Sequence, residues 1–238
     1  MRKGNKNYVL TLNPPIKLKH IEPEKSELVQ IKELILREFI DPTKGVKLMK
    51  EMMESLDANE FHYFFPTLNY SAENGDKAIL NEEKFNKRFL SNKYRHSYLI
   101  YSNELYMDNI KQERLIGIIS IDNVKFYNKN CFVSIFINKQ FRGYGLALLT
   151  IKLIKNRVFN DGIYDGSSRK IMHKIKTYIN IDNINAIKVF KKAGFYKVGV
   201  YTDEEYRDDG YCDMVSMECL NRDVSSINNA LKKIKSIF

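Results

Sequence analysis

The sequence predicts an α+β (mixed α/β) domain built on one mostly antiparallel, mixed sheet flanked by helices. Three observations lead there. Short apolar runs of strand length are interspersed with segments of helical spacing along the whole chain. The 238 residues, 44% hydrophobic and 29% charged, suffice for a sizeable core and are too apolar for a disordered chain. The 11 glycines and 5 prolines are scattered, so no flexible linker divides the chain.

Taken in order, Lys17–His20 reads as a strand, and Pro23 opens a helix to about Phe39 with Leu28, Ile31, Leu34, Ile35 and Phe39 on one face. A second helix runs from Pro42 to about Leu56, with Val46, Met49, Met52 and Met53 inward. The aromatic cluster Phe61–Pro66 leads into a loop, and Glu82–Leu90 reads as a third helix. Ser97–Ser102 and Leu115–Ile121 are strands expected to pair across the polar loop between them. Cys131–Ile137 is a strongly apolar strand, followed by a glycine loop and a helix from Leu146 to about Phe159. Ile171–Ile179 is a further strand, Asn183–Ala193 a helix, and Gly194 its stop. Tyr196–Tyr201 and Tyr211–Leu220 make a hairpin closed near Asp209-Gly210. Residues 221–238 form a tail in which Ile227, Leu231, Ile234 and Phe238 fall at helical spacing, a helix that packs on the domain.

The net charge is +10, and its placement matters more than its size. Residues 139–197 carry 13 basic side chains against only Asp161, Asp165 and Asp182, which points to an anionic partner for that segment. Residues 203–213 hold six acids and one Arg, read as a solvated hairpin loop or as an attractor for a cationic amine. Cys131, Cys212 and Cys219 are too few for a disulfide framework, fall in predicted strands, and favour a cytoplasmic setting. The basic N-terminal stretch lacks the apolar core of a secretory signal, and no apolar run reaches membrane-spanning length. His20, His96 and His173 show no metal-ligand spacing, so no metal is expected.

The strand–loop–helix over residues 131–159 is the most informative segment. A helix start leaves backbone N–H groups unpaired at the positive end of its dipole. Gly143 and Gly145 remove the Cβ atoms that would keep a phosphate from those amides, and Arg142 adds charge there. The loop lacks the Gly-Lys-Ser/Thr end of a P-loop and the third glycine of a dinucleotide fingerprint.

Gln140-x-x-Gly143-x-Gly145 after a buried strand resembles the acetyl-coenzyme A motif of the GNAT acyltransferases. Asn183-Ile184-Asn185-Ala186-Ile187-Lys188-Val189-Phe190-Lys191-Lys192-Ala193-Gly194-Phe195 is similar to that family's second motif. The terminal hairpin, with Asp209-Gly210-Tyr211-Cys212-Asp213, resembles the branch of ribosomal-protein and spermidine acetyltransferases, and the likeness spans roughly residues 15–220. The resemblance implies an N-acetyltransferase in which an amine, on a small molecule or a protein N-terminus, attacks acetyl-CoA directly in a ternary complex. It implies backbone contacts to the cofactor from Phe136 and Ile137, a pyrophosphate cradle of Gln140, Arg142, Gly143, Tyr144, Gly145 and Leu146, and further contacts from Asn183, Phe190 and Lys192. Tyr144 is expected to be exposed.

Two family positions depart from the pattern. Phe190 stands where relatives often carry a tyrosine that protonates the thiolate, and Phe132 where some carry a glutamate. Substitutes are sought in His62 and Tyr63 of the aromatic cluster and in Tyr206, with Glu205, Asp209 and Asp213 as acceptor-binding carboxylates and residues 40–95 as a variable acceptor-side region. The competing readings are an RNA- or ribosome-binding protein using the basic face, which the lack of interleaved aromatics disfavours, and a non-catalytic acyl-CoA sensor. A homodimer is the assembly to test.

Overall fold

The computed structural model describes residues 8–18, 29–40, 90–91, 93–105, 111–207 and 210–222. In chain order these form β1 (Tyr8–Leu18), β2 (Val29–Glu38), β3 (His96–Leu105), β4 (Lys111–Lys125), β5 (Asn130–Ile137), α1 (Leu146–Asn156), β6 (Ile163–Tyr164), β7 (Arg169–Lys170), β8 (Lys174–Asn180), α2 (Ile184–Lys192), β9 (Tyr196–Arg207) and β10 (Gly210–Leu220). Eight of the strands make one sheet in the order β1-β2-β3-β4-β5-β8-β10-β9, and β6 pairs with β7 apart from it. Every neighbouring pair in the large sheet is antiparallel except β5 with β8. This is the expected α+β architecture.

Strand β4 lies fourth in the sheet, and its run of Ile116, Ile118, Ile119 and Ile121 is buried on both faces, as a covered central strand requires. On β5 burial alternates from Asn130 to Ser134 and then breaks, with Ile135 half-buried and Phe136 and Ile137 both buried. Cys131, Val133 and Ile137 enter the core shared with Leu146, Ile151 and Ile154 of α1 and Phe190 of α2. Phe132, Ser134 and Phe136 therefore point to the opposite face of the sheet. β1 sits at the edge, where Pro14 and Pro15 cost no ladder hydrogen bond, and its register with β2 slips between Thr11 and Ile16.

The helix expected from Pro23 to Phe39 is a correction: Val29–Glu38 is strand β2. Lys32 is an extra residue in the pairing with β3, which runs Ile31↔Glu104 and then Glu33↔Asn103. That bulge sets Ile31 and Leu34 three apart on one face, and Ile35 is buried as well, so a bulged strand with apolar residues on both sides imitates helical spacing. The first strand runs over Tyr8–Leu18 rather than Lys17–His20, and β8 begins at Lys174 rather than Ile171. Before β8 the chain is held by the His173 amide on the Lys129 carbonyl at 2.7 Å. Asp203–Arg207 belong to β9, not to a hairpin loop; only residues 208 and 209 separate Arg207 from its partner Gly210. The helices over 42–56 and 82–90, the cluster Phe61–Pro66 and the helix over 225–238 lie outside the described residues.

Candidate active site

β5 and β8 are paired over three positions only, Asn130↔Lys174, Cys131↔Ile175 and Phe132↔Lys176. Beyond them β5 stays with β4 through Ile137 while β8 turns to β10, so the sheet opens in a V from Ser134 onward. The Asn138 amide donates to the Ile116 carbonyl at 2.9 Å. Residues two apart on an antiparallel strand turn their backbone groups to the same neighbour. Phe136 and Ser134 are thus committed to β4, and Ile135 and Ile137 turn theirs into the V. In keeping with this, the Ile137 carbonyl accepts Arg142 Nε at 2.9 Å. A Cβ on Gly117 of β4 would lie 2.1 Å from the Phe136 carbonyl oxygen, so the close seating of β5 on β4 requires glycine there.

The mouth of the V meets the glycine loop. A single 3₁₀ turn, Lys139–Phe141, buries Phe141 and leaves Gln140 exposed. Gly143 and Gly145 then adopt φ of +86° and +78°, a region costly for other residues, and both are exposed. Added Cβ atoms there would meet nothing within 4 Å, so the surface beside the loop is open. Gly145 is the N-cap of α1 and supplies no side-chain cap, and the first turn of α1 carries no acid. The uncapped amides, open glycines and absence of carboxylates suit a pyrophosphate. Arg142 lies with its guanidinium 5.7 Å from the Phe136 ring centre and bonds back to the strand, pinning the loop as well as charging it. Tyr144, expected to be exposed, is half-buried against the core, as is Ala147 of the first helical turn; Leu146 is fully buried. The two left-handed glycines fold the chain back so that the ring between them packs down.

α2 flanks the V on the core side. Asn183 Oδ1 accepts the Ala186 amide at 3.0 Å, so its carbonyl caps the helix and its amide N–H groups remain for another acceptor. The helix ends with the Gly194 amide on the Lys191 carbonyl and the Phe195 amide on the Phe190 carbonyl, both at 3.0 Å, with Gly194 at φ +93°. The Phe190 and Phe195 rings meet edge to face at 5.0 Å, so Phe190 serves this cap as well as the core. Lys155 Nζ of α1 donates to the Ala193 carbonyl at 2.6 Å, joining the two helices. Lys191 and Lys192 are exposed in the last turn of α2.

The face opposite the helices carries aromatics across the V. Phe132 meets Tyr178 of β8 at 5.1 Å, and Tyr178 meets Tyr201 of β9 at 5.3 Å, both edge to face. Burial and a hydrogen bond with Tyr201 push the Tyr178 phenol above its ordinary range, so it keeps its proton at neutral pH. Tyr206 stacks edge to face on Tyr211 at 5.2 Å, farther along the hairpin and exposed. Glu205 lies opposite Cys212, and Asp213 Oδ1 accepts the Asp203 amide at 3.0 Å, holding the irregular pairing where Asp203 takes φ +51°. Asp209, His62 and Tyr63 lie outside the described residues. Burial drives the Cys131 thiol up to about 12 and raises Cys219 too, so neither is a thiolate nucleophile. Among the described residues no group of His, Cys, Asp and Glu could hold a metal, and no helix is long and apolar enough to cross a membrane. Sequence reasoning did not single out Ile135 and Tyr178, which border the V; strand alternation from Ile175 would have put Tyr178 on the outer face, whereas the direction of the Ile135 backbone follows only from the Asn138–Ile116 hydrogen bond.

A family model for an acetyltransferase (GNAT) domain matches residues 34–196. Among solved structures, the chain is similar to spermidine N-acetyltransferase from Vibrio cholerae in complex with CoA and spermine. That match has 16% identity, covers 79% of this chain and 95% of that one, and has a TM-score of 0.57. A dodecameric form of spermidine N-acetyltransferase from Vibrio cholerae in an intermediate state matches at 14% identity over 79% of this chain and 94% of that one, with a TM-score of 0.55. At such identities the likeness is one of fold. No curated protein matches in sequence. A splayed strand opening onto an uncapped, glycine-led helix, within a segment matched over well more than half the chain, makes this protein a member of the GNAT family, an N-acetyltransferase that uses acetyl-CoA.

Proposed function

We propose that the protein transfers acetyl from acetyl-CoA to a primary amine of a cationic, polyamine-type acceptor, by direct attack in a ternary complex. The observation that carries this reading is the V between β5 and β8, which ends at the glycine loop. The pantetheine arm fits the V, where the Ile135 and Ile137 amides face it, and an amide aimed at the thioester carbonyl stabilises the oxyanion. The Gly143–Leu146 amides take the pyrophosphate, with Arg142 and Gln140 at its edge. Asn183 and Phe190 border the thiol end, and Lys192 reaches for phosphate. Across the V, half-exposed Tyr178 and Tyr201 and the β9 carboxylates Glu204 and Glu205 offer ring faces and negative charge to a polyammonium chain. The spermine and spermidine named for the similar structures are of that class.

Thiol release from acetyl-CoA, followed across spermidine, spermine, an aminoglycoside and a peptide N-terminus, tests the reading. Polyamines are expected to give the highest kcat/KM, with no acetylated protein in intact-mass spectra during turnover. Absence of thiol release with every amine at near-millimolar acetyl-CoA overturns it.

A further inference from the structure

Phe132 and Phe190 leave the family positions without a proton-transferring group, yet the neighbouring strand supplies one. Asp122 of β4 lies directly across from Phe132 in the antiparallel register, and Ser120 across from Ser134. Asp122 is 9% exposed, with Oδ1 accepting from Arg95 Nε at 2.6 Å and Oδ2 accepting from the Ser134 hydroxyl at 3.3 Å. Ser134 is exposed, on the face opposite the helices, just past the last β5–β8 pair. Its neighbour Ile135 turns its amide into the V. A hydroxyl backed by a carboxylate thus stands beside the site of the thioester carbonyl, on the side that holds Tyr178 and Tyr201.

We propose that Ser134 and Asp122 form the proton relay for the attacking amine; the proposal rests on the acetyl-transfer reading above. As the amine nitrogen forms its C–N bond to the thioester carbon, its proton passes to Ser134 Oγ while the Ser134 hydroxyl proton passes to Asp122 Oδ2. The C–S bond breaks and the thiolate leaves with the electron pair; the proton held on Asp122 is released to solvent while one from solvent neutralises the thiolate, which resets the relay. Ser134 touches the substrate; Asp122 acts through it. Arg95 fixes which carboxylate oxygen faces Ser134. The hydroxyl contact is long for an O–H···O bond, as catalytic contacts often are before substrate arrives. The charged and titratable groups around Asp122 are Arg95 ahead of β3, Cys131 on β5, whose thiol feels the Asp122 charge, and Lys176 of β8 across the Phe132 ring.

The test compares wild type with Ser134→Ala, Ser134→Thr and Asp122→Asn, reading kcat and KM with spermidine and acetyl-CoA binding by calorimetry. Ser134→Ala leaves the Arg95–Asp122 pair intact, so folding is not at stake. It is expected to lower kcat about 100-fold, within the range of general base catalysis, while acetyl-CoA binds within twofold of wild type. Ser134→Thr restores the rate, and Asp122→Asn combined with Ser134→Ala costs no more than either alone. A Ser134→Ala rate within threefold of wild type overturns the relay and leaves the transfer reading standing. Wild type that binds no acetyl-CoA overturns both.

Discussion

On one side of the V, strands β1 to β5 run antiparallel without a break and bury Ile31, Leu34, Leu36, Tyr98, Ile100, Ile116 and Ile119 completely. On the other, β8, β10 and β9 leave Tyr178, Tyr196, Val198, Val200, Tyr201, Tyr206 and Tyr211 at or near the surface. The first half holds β5 in place, and the second presents side chains to whatever approaches. Complete burial is therefore concentrated on one half of the sheet and exposed aromatics on the other, although Ile175, Val215 and Met217 join the same core, and the proposed cofactor site lies at the seam between them.

Three substitutions break or sharpen that contrast. The largest effect is expected at the seam: Gly143→Glu puts a β-carbon where φ is +86° and a carboxylate into the proposed anion cradle, and should weaken acetyl-CoA binding by 100-fold or more in calorimetry, with a stability cost of only about 1–2 kcal/mol from the strained backbone. The scaffold half should answer in the opposite way. Leu34→Ala removes a fully buried side chain from β2 and is expected to cost about 2–5 kcal/mol in urea unfolding, with the acetyl-CoA Kd of the folded protein held within twofold. Asn183→Ala is smaller and mixed, since the side chain caps α2 and belongs to the proposed cofactor site: about 1 kcal/mol of stability and a few-fold rise in the KM for acetyl-CoA. If Leu34→Ala altered cofactor affinity as strongly as Gly143→Glu, the division between the halves would fail.

The same contrast explains which parts were legible in the sequence. Around the seam the determinants are local. Gly143, Gly145 and Gly194 need left-handed backbone and Asn183 caps its own helix, so residue type and spacing alone placed α1, α2 and the glycine loop. β2 was misread because one bulged residue, Lys32, converts strand alternation into a spacing of three, and because burial on both faces removes the polar side that identifies a strand. The acids at 203–205 suggested a loop by composition, yet they lie within β9, where Glu205 pairs with Cys212, Asp203 and Glu204 fall in the irregular stretch, and Tyr201 and Tyr206 on either side contact Tyr178 and Tyr211. The proton relay was hidden for a different reason. Asp122 and Ser134 are twelve residues apart and meet only through a register that depends on the turn between β4 and β5.

The three-residue pairing of β5 with β8 also has a thermodynamic side. A sheet that forgoes the rest of that ladder forgoes its hydrogen bonds, and a chain-like ligand lying in the V supplies partners for the same strand amides. In the proposed complex acetyl-CoA acts in part as an additional strand, present only in the bound state. Linkage makes the folded protein more stable by about 2.7 kcal/mol when ligand stands at a hundred times its Kd. The seam that weakens the free sheet is thus where cofactor supply in the cell would set how long the folded chain survives.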